Sequence, residues 1–241
     1  MAKTAGIVII GDEILTGKVQ DYNSFFMAQE LWSHGIQLCR ISIIADIIDE
    51  IADEVKALSG KFDFVFTSGG IGPTHDDVTI EGISRAFQVK TVVNETLKEV
   101  LEYKLGALSP EQMKMAEVPE GSELVTDDTI SFPLIRFRNV FILPGIPQLL
   151  RKKFFALAKL FNEPLVHLKK VYLMESESSV APILNSIVKR YPDVKIGSYP
   201  VIDNEEYSVM VTFESLNDVS LAAALKNLLE SVPVKKLVRV E

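Results

Sequence analysis

Several common protein classes are excluded by what this sequence does not contain. It has one cysteine, Cys39, so no disulfide can form within the chain, and that usage fits a reducing compartment. No Lys/Arg-rich run of the kind nucleic-acid binders carry is present, and the net charge is 25 − 33 = −8. No apolar stretch approaches transmembrane length, and the opening run Ala5–Ile10 is too short for the hydrophobic region of a signal peptide. A cytoplasmic protein with no nucleic-acid and no membrane partner is expected. His34, His75 and His167 are too scattered for a zinc site, which needs three or four converging ligands. Internal repeats and low-complexity segments are missing as well.

What is there is ordinary in bulk. The 241 residues are 47% hydrophobic and 24% charged, enough for one large domain or one domain with a small appendage. Cys39 lies in an apolar strand pattern and is expected to be a buried small residue.

The most informative stretch runs from Phe64 to Thr79. A buried-type strand leads into Ser68-Gly69-Gly70-Ile71-Gly72-Pro73-Thr74 and then into Asp76-Asp77, where a helix is expected to begin. Glycines let a backbone approach a ligand closely, and a helix N-terminus adds about half a positive charge, so phosphate is the natural guest. The carboxylates repel phosphate unless a divalent cation lies between them, and magnesium-like ions bind in that way. The stretch lacks the Gly-Lys-Ser/Thr ending of a P-loop, and His75 stands where the dinucleotide fingerprint needs its third glycine. A plain turn with Asp76 and Asp77 capping the helix would account for one glycine and one aspartate, not for the cluster.

Strand and helix patterns alternate from the start. Strands are expected at 5–10, 37–44, 63–67 and 140–143, and helices at 23–35, 47–58, 78–87, 95–104, 111–117 and 147–160, with hairpin-like pieces over 123–137. Unbroken apolar strands alternating with helices predict a mostly parallel sheet covered on both faces. A boundary is expected near Asn162-Glu163-Pro164, giving a nucleotide-binding domain over 1–163. The small α+β subdomain over 164–241 has the order strand, helix, strand, strand, helix. Its apolar face must be buried on the larger domain or on another subunit, and a homo-oligomer is expected.

Other strand ends carry candidate chemistry. Gly11-Asp12-Glu13-Ile14-Leu15-Thr16-Gly17 follows the first strand, and ligands collect at the carboxyl ends of parallel strands. Asp12 and Glu13 are candidates for holding a cation or orienting water, and Asn23 for capping the next helix or touching a base. Asp46 either caps the helix at 47 or joins Asp77 on one cation, the recurring arrangement for metal-assisted attack on phosphate. Pro144-Gly145-Ile146-Pro147 forms a rigid turn suited to a flat ring or to closing the cleft. His75 is read as a loop histidine on the surface.

Taken together, the turns at 11–17, 69–79 and 143–147 resemble the molybdopterin-binding (MogA/MoaB-like) superfamily. The likeness is greatest to the first domain of eukaryotic FAD synthase and to the N-terminal domain of CinA proteins. Ala5–Gly11, Arg138-Asn139-Val140 and Gly197-Ser198-Tyr199-Pro200 carry it over nearly the whole chain. The resemblance implies a MogA-like three-layer α/β domain and divalent-metal-dependent pyrophosphatase activity on FAD or ADP-ribose. It aligns Asp46 and Asp77 with the two aspartates that serve the adenylylating members; the reading of the loops adds Asp12 and Glu13 as catalytic candidates, and Asp46, Asp76 and Asp77 as ligands of a Mg, Mn or Co ion. The nucleotide is assigned to Gly11, Asn23, Ser68, Gly69, Gly70, Gly72, Thr74, Thr79, Gly145 and Pro147. The molybdenum-cofactor enzymes carry Thr where this chain has Ile71 and Arg where it has Asp76, which argues against a pterin ligand. These 241 residues hold neither the PAPS-reductase-like domain of FAD synthase nor the deamidase domain of CinA, so FAD synthesis and amide hydrolysis are not expected of them. The alternatives are molybdopterin binding with adenylyl transfer, and a nucleotide-binding module without turnover. An RNA-binding second unit would need a Gly-x-x-Gly clamp, which is missing.

Overall fold

A computed structural model describes residues 3–161 and 166–241. The chain divides into two compact units, Met1–Glu163 and Pro164–Glu241. The linker expected near residues 162–164 lies outside the described residues.

In the first unit β1 (Thr4–Ile10) leads through one turn of helix, α1 (Asp12–Leu15), to α2 (Asn23–Ser33) and β2 (Gln37–Ile44). Next come α3 (Ile48–Ser59), β3 (Phe64–Ser68), α4 (Thr79–Phe87), β4 (Thr91–Val93), α5 (Glu95–Leu105), α6 (Pro110–Lys114) and β5 (Glu117–Pro119). The unit finishes with β6 (Glu123–Val125), β7 (Leu134–Phe137), β8 (Val140–Leu143) and α7 (Pro147–Ala158). The main sheet has the order β2-β1-β3-β8-β7-β6. The first four strands are parallel, β7 runs antiparallel to β8, and β6 antiparallel to β7. This is the expected α/β architecture with a mostly parallel sheet.

Period-two alternation sends the apolar residues of β1 to two different cores. Ala5, Ile7 and Ile9 join Phe66, Leu150, Phe154 and Leu157 on the side covered by α2 and α7. Val8 and Ile10 join Val65, Ile51, Val55, Ile83 and Leu97 on the side covered by α3, α4 and α5. Helices therefore cover both faces, and the site is left to the strand ends.

The second unit contains β9 (His167–Leu173), α8 (Glu177–Arg190), β10 (Lys195–Pro200), β11 (Val209–Ser215), α9 (Asp218–Ser231) and β12 (Leu237–Val240). Its antiparallel sheet runs β10-β11-β9-β12, and Val171, Leu173, Val209, Val211 and Phe213 bury one face against the helices.

Some expectations need correcting. Cys39 is exposed, because β2 is an edge strand and one of its faces finds no helix. The helix expected over 111–117 ends at Lys114, and Glu117–Pro119 instead pairs with β4. Asp46 is not a helix cap: α3 begins after Ile47, with no side-chain cap. Nor do Asp76 and Asp77 start a helix, since α4 begins at Thr79 without a side-chain cap. Asn23 is the first residue of α2 and does not cap it; the Asp21 carboxylate takes the N–H groups of Asn23 and Ser24. Among the described residues no helix is long and apolar enough to cross a membrane.

Candidate functional site

Strand order decides where a ligand can sit. β2 lies on one side of β1 and β3 on the other, so the chain reverses direction across the sheet between β1 and β3. The turns leaving those two strands part there and open a crevice at their carboxyl ends. They are the Gly11 turn and the glycine turn.

The glycine turn is built so tightly that its first two glycines are obligatory. Gly69 has φ of 114° and Gly70 φ of 60°, and a Cβ on Gly69 would lie 2.0 Å from the Ile10 carbonyl oxygen. Thr79, buried at the start of α4, fixes the turn from behind. Its hydroxyl donates to the Gly69 carbonyl at 2.9 Å and its N–H to the Gly70 carbonyl at 3.0 Å. Among the described residues no acceptor is recorded for the N–H groups of Gly70, Ile71 and Gly72. N–H groups left without a protein acceptor beside the start of a helix are the type of donor that suits an anion.

Two carboxylates flank this turn. Asp46 Oδ1 lies 3.5 Å from the place a Cβ on Gly70 would take, and Asp77 Oδ2 lies 2.7 Å from the corresponding place on Gly72. Asp77 is held by the Thr74 N–H at 2.8 Å and by the Thr74 hydroxyl. Asp46 Oδ2 accepts the Asp12 N–H at 2.9 Å. Burial holds the Asp46 carboxyl above its ordinary pKa; the Asp12 N–H works against that, and the charges of Asp12, Glu13 and Asp76 add to it.

These groups border one cavity of about 630 Å³, within the range of nucleotide-sized pockets. Of the residues expected from the sequence, Gly11, Glu13, Asp46, Gly69, Gly70, Gly72, Asp76, Asp77 and Gly145 line it. Asp12, Asn23, Ser68, Thr74, Thr79 and Pro147 do not. Asn23 is buried, and its amide nitrogen donates to Ser68 Oγ at 3.0 Å and to the Gly145 carbonyl at 2.7 Å. It ties two strand-end turns together rather than facing a base. His75 is almost fully exposed and does not line the cavity.

The donor set suits a hard cation in type, because Glu13, Asp46, Asp76 and Asp77 all offer oxygen. Among the described residues no group of three or more His, Cys, Asp or Glu is spaced to hold an ion alone. A magnesium-like ion that is bound through one or two carboxylates and completed by water and ligand phosphate meets both observations.

Sequence reasoning missed one wall of the cavity. Leu101, Met115, Ile130, Phe132, Ile135 and Leu149 give it an apolar flank, and Lys114, Lys152 and Lys153 add positive charge. Lys153 carried a readable signal, since it sits among Leu150, Phe154 and Leu157 on the buried stripe of α7. The other wall residues, apart from Leu149 and Lys152 on α7, come from separate elements and had none.

Comparison with known proteins agrees with the fold. A family profile described as "Probable molybdopterin binding domain" matches residues 6–167, and one described as "FAD synthase, middle domain" matches 165–241. A protein of Archaeoglobus fulgidus is 36% identical over 230 residues, 95% of this chain and 98% of its own. A probable FAD synthase of Caenorhabditis elegans is 32% identical over 257 residues, covering 95% of this chain and 50% of its own length. This chain thus spans half of that relative. The crystal structure of CinA from Thermoplasma acidophilum, a protein of unknown function, superposes with a TM-score of 0.62 at 30% identity. It covers 67% of this chain and 99% of its own. With the glycine turn at the β1/β3 crevice and these matches, the chain belongs to the molybdopterin-binding-domain family, and its second unit is similar to the FAD synthase middle domain.

Proposed function

We propose that this protein hydrolyses the pyrophosphate bond of FAD or a related ADP-containing nucleotide such as ADP-ribose, with a divalent cation. The observation that carries the reading is the cavity in which the glycine turn meets five carboxylates, those of Glu13, Asp46, Asp76, Asp77 and Glu117. The N–H groups of Gly70, Ile71 and Gly72 hold phosphate oxygens. Asp46 and Asp77, on either side of the turn, hold the cation, with Asp76 beside them. A bound cation of this kind supplies charge neutralisation and a more acidic water. Glu13 orients the attacking water and takes its proton. The water oxygen forms a bond to one phosphorus, the bridging P–O bond breaks, and the other phosphate leaves with the electron pair; FAD yields FMN and AMP.

Two features of the relatives support a nucleotide substrate: the name FAD synthase and the middle-domain match. A second reading, pterin binding with adenylyl transfer, is favoured by the family's description. Ile71 and Asp76 stand against it, because Asp76 puts negative charge where the molybdenum-cofactor enzymes carry Arg.

The test is incubation of the purified protein with FAD, NAD and ADP-ribose across Mg, Mn and Co, followed by separation of products. AMP and FMN from FAD, abolished by excess chelator, are expected. Undiminished cleavage in chelator, or ATP-dependent modification of a pterin without cleavage of any dinucleotide, would overturn the reading.

A further inference from the structure

The proposed reaction leaves Lys153 unused, although it lines the same cavity. The residue is 8% exposed, and Nζ donates to the Pro133 carbonyl at 2.7 Å and lies 4.9 Å from the centre of the Phe132 ring. An ammonium has three donors, and this one has a single recorded acceptor. No ion pair involving Lys153 is recorded among the described residues. The charge that acts on it is Lys104, of the same sign, whose own Nζ is taken up by the Ser131 carbonyl at 2.7 Å. Lys152, also at the cavity wall, adds more positive charge.

A buried ammonium without a counter-ion is costly, because burial strips its water and one carbonyl replaces only part of it. Burial, with Lys104 adding to it, brings the pKa down to about 8, so the group remains charged at neutral pH. A neutral ring carbonyl would fill a donor but leave the charge. An anionic oxygen does both. The cavity is also lined by the carboxylates of Glu13, Asp46, Asp76, Asp77 and Glu117, yet none of them is recorded in an ion pair with Lys153, so its buried ammonium points to an anionic guest.

We propose that Lys153 is a ligand-binding residue whose ammonium takes an anionic phosphate oxygen of the bound nucleotide, as a second phosphate contact beside the glycine turn. The inference rests on the cavity being a nucleotide site, as argued above, but not on hydrolysis.

The test is calorimetric binding to the full chain with magnesium. The probes are α,β-methylene-ADP, which cannot be cleaved at its bridge, and phosphate-free riboflavin. Lys153→Met should weaken methylene-ADP binding at least tenfold and lower the slope of log Kd against log salt by about one. Riboflavin binding should stay within twofold of wild type. Lys153→Arg, which keeps the charge, should recover part of the loss and serves as the readout if the methionine variant does not fold. Unchanged methylene-ADP affinity in a folded Lys153→Met variant would overturn the proposal. So would an equal loss for both probes, or wild-type protein that does not bind methylene-ADP. Lys153-dependent binding in a protein that cleaves no dinucleotide would support this contact and remove only the hydrolytic reading.

Discussion

At Asp46, burial and the negative charge of Asp12, Glu13 and Asp76 outweigh the help of the Asp12 N–H. A carboxyl whose pKa is raised by folding binds its proton more tightly in the native state. Its stabilising contribution is complete below the unfolded value and is lost as pH rises through the raised native one. At neutral pH the ionised group therefore destabilises the ligand-free protein. Asp46→Asn keeps an oxygen for the Asp12 N–H and removes the charge, so it should raise Tm by about 1–3 °C while lowering hydrolysis about 100-fold or more. Thermal scans and initial rates check this; a lower Tm would contradict the account. Lys153 has the opposite arrangement, with a native pKa of about 8 against an ordinary 10.5. The unfolded chain binds more protons between those values, so stability should rise with pH across that window, and Lys153→Met should flatten the rise in denaturant titrations. Gly69 and Gly72 separate backbone need from site need. Ala at Gly69 meets the Ile10 carbonyl in a left-handed conformation and should cost about 3 kcal/mol. Ala at Gly72 meets the Asp77 carboxylate first, and should lower kcat/KM about tenfold with little change in Tm.

At the scale of elements, Asn23 is the clamp that holds the first turn of α2, the end of β3 and the turn after β8 in one arrangement. Asn23→Ala leaves Ser68 Oγ and the Gly145 carbonyl without its amide and should cost about 2 kcal/mol. Ligand affinity should fall too, because the Gly145 turn that lines the cavity loses its tether. A variant with wild-type Tm and affinity would show that the clamp is idle. Most elements were legible from period and punctuation: Pro147 opens α7 and Gln37–Ile44 is β2. β4, β5 and β12 were not. Each has only three or four residues, too few to show a period, and exists because a partner strand lies beside it. The exposure of Cys39 was hidden for a related reason, since an edge strand and a central one share the same apolar pattern.

For the whole molecule, every residue lining the cavity belongs to the first unit, and both cores of that unit are built from residues up to Phe161. A chain ended after Phe161 should therefore fold, as read by circular dichroism, and bind methylene-ADP within about threefold of the full protein. Loss of binding by a folded truncated chain would bring the second unit into the site, with Gly197-Ser198-Tyr199 the first segment to examine.

By itself, the sequence determined the α/β alternation, the glycine turn after β3 and the acidic turns at strand ends, because these depend on spacing along the chain. Tertiary structure alone decided which turns share a crevice, since that follows from β2 and β3 pairing on opposite sides of β1. Only the folded chain also showed that Asn23 serves the scaffold and that Lys153 is buried at the cavity wall with no ion pair recorded among the described residues. Partner choice between residues distant in sequence is fixed by packing and desolvation, and neither is written in local spacing.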